Sequence, residues 1–308
     1  MDFRLIGAAC MGWALGANDA ANIFGTAVSS YMVKYRTAVM LTAAFVILGA
    51  YAGGSPGIET LSALTAQTEN TAFIISLAAA LTVTLMVFMR LPVSTSQAVI
   101  GAIVAVGLIN GHMETAGLSR VFICWITTPV GAGIIAAVLY FLLGAILRKF
   151  PLHFIFYDRL MRNLLLVAGS YGAYALGANN VANVSGVFYK SGMLDMNQAL
   201  LIGGAGIAFG VVTYSKNMML AVGRKIIPMD AFSAFIAVLA HSVTIHVYSK
   251  IGVPVSSSQA IVGALAGIGL LKGIRTVSTG SLLKIFAGWF FTPVAGMAFC
   301  LVLHLLFL

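Results

Sequence analysis

Ten apolar runs, separated by short polar stretches, make up most of this chain. In the first half they lie near residues 4 to 22, 37 to 53, 71 to 90, 92 to 110 and 119 to 147. In the second they lie near 164 to 184, 196 to 215, 229 to 249, 254 to 271 and 283 to 308. A helix needs about 20 consecutive apolar residues to cross a hydrocarbon core about 30 Å thick. The pattern therefore predicts an all-α polytopic membrane protein with about five hydrophobic segments in each half. The segments opening at Pro92 and Pro254 are Gly-rich, so they are expected to be broken or re-entrant at the centre of the fold.

The polar interruptions repeat. Ala14-Leu15-Gly16-Ala17-Asn18-Asp19-Ala20-Ala21-Asn22 returns as Ala175-Leu176-Gly177-Ala178-Asn179-Asn180-Val181-Ala182-Asn183, 161 residues later. Pro92-Val93-Ser94-Thr95-Ser96-Gln97-Ala98 returns as Pro254-Val255-Ser256-Ser257-Ser258-Gln259-Ala260 at an offset of 162. Trp-x-x-Thr-Pro occurs at Trp125 to Pro129 and again at Trp289 to Pro293. Three ordered matches at a nearly constant offset mean an internal duplication. The expected organisation is a first transmembrane repeat over 1–150, a short connection over 151–163 and a second repeat over 164–308. Polar motifs at matching points of two hydrophobic halves point to a transporter's binding site.

Composition agrees with the segment pattern. The chain is 60% hydrophobic and 8% charged, with a mean hydropathy of +1.02, which excludes a water-soluble surface. Asp2 and Arg4 precede the first run, but that run carries the repeated motif and no clean cleavage site, so it is not read as a leader. The net charge of +9 is spread over loops and gives no nucleic-acid stripe. Arg148, Lys149, Arg159 and Arg162 concentrate positive charge at the central connection, which places it in the cytoplasm of a cell membrane. An odd number of crossings per half then makes the repeats inverted. Cys10, Cys124 and Cys300 have no paired spacing and are read as packing residues.

Of the eight acidic residues, only Asp19 falls inside an apolar segment. An ionisable group there costs a few kcal/mol and marks a functional site by default. Asn18 and Asn22 flank it, and Asn179, Asn180 and Asn183 hold the matching places in the second half. Their amide and carboxylate oxygens form a ligand set for a hard monovalent cation or for proton exchange. Asn side chains that only join helices are the alternative. Gly16 and Gly177 are expected to permit a local break in the helix.

The Ser motifs read as a second kind of site. Pro92 and Pro254 fit a first helical turn. Ser94, Thr95 and Ser96, with Ser256, Ser257 and Ser258, set hydroxyls beside that turn's free amides, an anion cradle that needs no buried Lys or Arg. Gln97 and Gln259 sit one turn in, placed to donate to the anion or to coordinate the cation. Thr128-Pro129 and Thr292-Pro293 read as helix kinks, with Trp125 and Trp289 as packing groups. His241 and His246 have no counterparts in the first half and read as packed neutral histidines, a proton relay being the alternative.

This doubled signature resembles the inorganic phosphate transporter (PiT) family, including its sulfate-permease branch, over nearly the whole chain. The resemblance implies dual-repeat, inverted-topology symporters that move phosphate with sodium or protons. It places Asp19 and Asn22 at the cation and substrate site of the first repeat, and Asn180 and Asn183 at that of the second. The two Ser motifs would hold the anion. Several positions depart from the family pattern. Asn180 stands where a second Asp is expected, Gln97 and Gln259 where many phosphate-transporting members have His, and Val46 and Val238 where many carry Glu.

The reading is thus a secondary active transporter that imports an inorganic oxyanion, phosphate first and sulfate second. The coupling ion is sodium or a proton, and sodium would bind at Asp19, Asn22 and Asn183. No other cofactor is called for. The competing class is an uncoupled anion channel; an enzyme is excluded because no nucleophile, base and orienting partner recur together. The expected partners are the anion, the bilayer and, by analogy with such carriers, a second copy in a homodimer.

Overall fold

The computed structural model describes residues 2–89, 93–149, 153–225, 230–273 and 279–307. The described residues are helical, with no strand among them. The first half contains α1 (Ile6–Ser29), α2 (Tyr35–Gly53), α3 (Ser55–Ser62), α4 (Glu69–Phe88), α5 (Thr95–Asn110) and α6 (Thr115–Lys149). The second contains α7 (Phe154–Lys190), α8 (Met196–Lys225), α9 (Ala231–Ile251), α10 (Ser257–Lys272) and α11 (Thr279–Phe307). α2, α4, α6, α8, α9 and α11 each contain a stretch long and apolar enough to cross a bilayer. α5 and α10 have 16 residues each, about 24 Å of helix against a core of about 30 Å, so neither crosses alone.

The helices add to the sequence reading at several points. The connection over 151–163 is helical from Phe154 onward, because α7 runs 37 residues without interruption. α3 lies between two of the apolar runs and was not singled out from the sequence; Pro56 sits in its first turn and it buries Ile58 and Leu61. α1 and α7 pass through Gly16 and Gly177 without a break. α10 begins at Ser257, so Pro254 lies ahead of the helix and not in its first turn; Pro92 lies outside the described residues.

The two halves are interlocked. α1 packs along α8 and α2 along α7, while α5 packs on α11 and α10 on α6. Exchanging the repeats converts each pairing into the other. Glycine explains the closest approaches. A methyl group at Gly16 would overlap the carbonyl oxygen of Ile207 on α8, and one at Gly177 would overlap that of Val46 on α2. Gly16 and Gly177 are therefore kept for backbone contact between helices, as in small-residue membrane interfaces. The Thr-Pro motifs serve a similar junction. Gly263 meets the carbonyl of Pro129, and Gly101 meets that of Pro293. Thr128 and Thr292 donate back to the carbonyls of Cys124 and Gly288 at 2.5 Å each.

Candidate functional site

Extended chain delivers both half-helices to the centre of the fold. Ser94 caps α5 by accepting from the Gln97 amide at 3.2 Å, and Ser256 caps α10 by accepting from the Gln259 amide at 3.2 Å. Asn18 of α1 fixes the approach to α5 by donating to the Val93 carbonyl at 3.0 Å. Asn179 of α7 does the same for α10, donating to the Val253 carbonyl at 3.2 Å and accepting from the Val255 amide at 3.1 Å. Each half thus positions its own half-helix with the first Asn of its motif.

The remaining contacts cross between halves. Ser96 donates to the Val255 carbonyl at 3.0 Å, and Ser258 donates to the Val93 carbonyl at 2.8 Å. Asn22 donates toward the hydroxyls of Ser257 (3.2 Å) and Ser258 (3.1 Å), and Asn183 donates to that of Ser96 (2.9 Å). The two helix starts therefore face one another across the repeat axis. The first-turn amides of Thr95, Ser96, Ser257 and Ser258 have no acceptor within their own helices. These amides, with the positive ends of two helix dipoles, are suited to an oxyanion.

Asp19 lies beside this junction. Oδ1 accepts from Asn18 (2.7 Å) and Asn22 (3.3 Å), while Oδ2 accepts from Thr95 (3.1 Å) and Asn180 (3.4 Å). Four donors shared equally between two oxygens satisfy a carboxylate that is 1% exposed, which is how a buried anion is tolerated without a cationic partner. The side-chain oxygens of Asn18 and Asn183 are buried without a hydrogen-bond partner. They are two acceptors in this cluster available to a cation. No side chain of the Asn or Ser motifs is more than 4% exposed, so the cluster is buried inside the protein.

Twelve of the residues singled out from the sequence meet here: Asn18, Asp19, Asn22, Asn179, Asn180, Asn183 and the two Ser motifs. The placement refines their roles, since Ser94 and Ser256 are caps and Ser96 and Ser258 tie the halves together. Gln97 and Gln259 contribute backbone amides to the caps, but their side chains line a separate apolar cavity of about 880 Å³ together with Trp125 and Trp289. One residue of the cluster had been read as packing. His241 is fully buried and its Nε2 lies 2.9 Å from the Ser257 hydroxyl. Its lack of a counterpart in the first half hid it from an argument built on repetition.

The sequence matches the phosphate transporter family over residues 15–300. The chain belongs to that family. As a phosphate transporter family member it is similar to a protein of Methanocaldococcus jannaschii named "Putative phosphate permease", at 30% identity over 92% of this chain and 90% of that protein. It is also similar to the sulfate permease CysP of Bacillus subtilis, at 28% identity over 96% of this chain and 84% of that protein. A solved structure titled "The sodium-dependent phosphate transporter" superimposes with a TM-score of 0.88 and 21% identity, covering 98% of this chain and 97% of its own. That likeness establishes the fold of this family member.

Proposed function

We propose that this chain is a secondary active transporter that imports inorganic phosphate together with sodium or protons. The observation that carries the reading is one buried carboxylate, Asp19, bonded to Thr95 at one Ser-capped helix start and linked through Asn22 to a second from the opposite half. The anion binds at the first-turn amides and displaces the hydroxyl and amide contacts that now close the junction. The cation binds at Asp19 and the unpartnered amide oxygens of Asn18 and Asn183. Neither charge sits comfortably there alone: Asp19 repels a dianion until a cation offsets it, and this shared electrostatic well is the proposed basis of coupling. The two repeats are inverted, with the basic connection after α6 in the cytoplasm, and rocking of one repeat on the other alternates access.

Sulfate is the second reading, favoured by Asn180. It removes the second carboxylate from the repeat axis and suits an anion that carries no proton to donate. The relative named for sulfate supports keeping it. The deciding experiment is uptake of labelled phosphate and labelled sulfate into proteoliposomes under an imposed sodium or pH gradient. Phosphate accumulated above equilibrium supports the proposal, sulfate accumulated alone supports the second reading, and electrogenic flux without accumulation supports an anion channel.

The caps give a further expectation. Ser94→Ala with Ser256→Ala removes two N-caps worth about 1 kcal/mol each, so the apparent KM for the anion should rise about thirtyfold if both are felt in binding. Trp125→Phe should leave it within about twofold. Equal effects in a KM series would separate the caps from the anion.

A further inference from the structure

Resting on the transporter reading above, we infer that His241 is a proton-binding residue of the transport site, taking up one proton as the anion binds and returning it as the anion leaves. The placement of the ring carries this. Ser257 is the first residue of α10, so its hydroxyl and amide stand at the helix start that faces the anion. Its equivalent in the other half, Thr95, donates to Asp19. Each helix start therefore has its first hydroxyl tied to one ionisable side chain, a carboxylate in the first half and an imidazole in the second. The repeat positions of those two groups hold Asn180 and Ala79, neither of which ionises.

The chemistry follows from the ring's two nitrogens. Nε2 is engaged by Ser257, and Nδ1 is buried without a partner; in the neutral tautomer that accepts at Nε2 the hydrogen sits on Nδ1, so Nε2 is the nitrogen that takes a second proton. While the ring is neutral and accepts at Nε2, the Ser257 O–H is spent on it. A proton from hydronium entering with the anion, whose O–H bond breaks to leave water, forms the N–H bond at Nε2, turns Nε2 into a donor to Ser257, and releases the hydroxyl hydrogen toward the anion. The imidazolium also offsets Asp19. On the far side the N–H bond breaks, the proton leaves to water with the anion, and the neutral ring is restored.

The surroundings isolate this pair. From α1, Asp19 reaches His241 through Asn22, which donates to both Asp19 and Ser257. From α7, Tyr171 and Tyr174 stack on His246 instead. From α6, Arg120 bonds the Ile251 carbonyl at the C-terminal end of α9, while Tyr140 meets Phe232 at the N-terminal end. Lys272 of α10 pairs with Asp230, also at the N-terminal end. Glu59 of α3 is exposed. On α9 itself, Lys250 is exposed and Tyr248 bonds Thr127 of α6 at 2.7 Å.

The test is phosphate exchange in proteoliposomes at equal internal and external pH, from pH 5.5 to 8, for the wild type and His241→Gln, whose amide nitrogen replaces Nε2 but takes up no proton. Taking the ratio of the two cancels the titration of phosphate itself. The wild-type KM should rise with pH relative to the variant, approaching tenfold per pH unit above the ring's pKa. A ratio flat across the range overturns the inference and leaves the transporter reading standing, whereas a wild type that exchanges no phosphate at any pH removes both. If the variant does not assemble, ring ¹⁵N spectra of histidine-labelled wild type decide. Doubly protonated signal from a solvent-shielded histidine on adding phosphate is expected, and its absence overturns the assignment.

Discussion

Asp19→Asn is expected to abolish gradient-driven accumulation of the anion while the protein still assembles in the membrane. The loss should reach about a hundredfold, the upper part of the range for coupling energies of 1–3 kcal/mol. The substitution keeps the size of the side chain and one of its oxygens. That oxygen still accepts from two of the four donors that now surround Asp19, while the new NH₂ faces the other two. Two donors left without an acceptor cost about 1–3 kcal/mol each. Against this, an ionised carboxylate no longer has to be held in the membrane, where it costs a few kcal/mol. The two effects oppose one another, so folding survives while the charge that attracts the cation is gone. Uptake under a gradient, passive counterflow and size-exclusion behaviour of the same preparation separate these outcomes. Unchanged rate and cation dependence in Asp19→Asn would remove Asp19 from the coupling site.

The duplication made much of this site legible in advance. Repetition identified the Asn and Ser motifs because a sequence constraint met twice in register is hard to attribute to packing alone, and their residues do converge. What repetition does not specify is how two copies engage. That Asn22 reaches Ser257 and Ser258, and Asn183 reaches Ser96, depends on each motif meeting the half-helix of the opposite repeat. A linear offset between copies carries no information on that pairing. Pro254, by its fit to a first turn, drew the expected start of α10 forward by three residues, whereas the helix begins at Ser257 with Ser256 as its cap. α3 was missed because eight residues containing Ser, Pro and Gly have no apolar period of their own, and its helicity comes from burying Ile58 and Leu61. His241 was missed for the opposite reason. It breaks the symmetry, and it stands among apolar neighbours where a packed ring is the ordinary expectation.

The same repeat logic makes a stability prediction on the helix pairs that carry the motifs. Gly16→Ala and Gly177→Ala should each destabilise the protein by about 3 kcal/mol, the upper part of the overpacking range. At both positions the added methyl meets backbone, the Ile207 carbonyl in one case and the Val46 carbonyl in the other, and backbone in the middle of a helix has no rotamer by which to yield. The partners reciprocate. Gly210 of α8 meets the Trp13 carbonyl, and Gly49 of α2 meets the Tyr174 carbonyl, so each helix pair is in contact through glycines from both sides, with Gly12 and Gly206 adding a further contact between α1 and α8. Relief requires the axes to separate, which would carry Asn18, Asp19 and Asn22 of α1, or Asn179, Asn180 and Asn183 of α7, away from the half-helices. Transport should therefore fall in the assembled fraction as well. Gly131→Ala in α6 is the control, since nothing lies within 4 Å of the added methyl, and the better helix propensity of Ala should leave it neutral or more stable by up to about 1 kcal/mol. Thermal unfolding midpoints of the three variants in one detergent provide the comparison. Equal midpoints for Gly16→Ala and Gly131→Ala would mean that α1 and α8 do not meet through their backbones. A loss confined to one of Gly16 and Gly177 would mean that the two halves do not share the load equally.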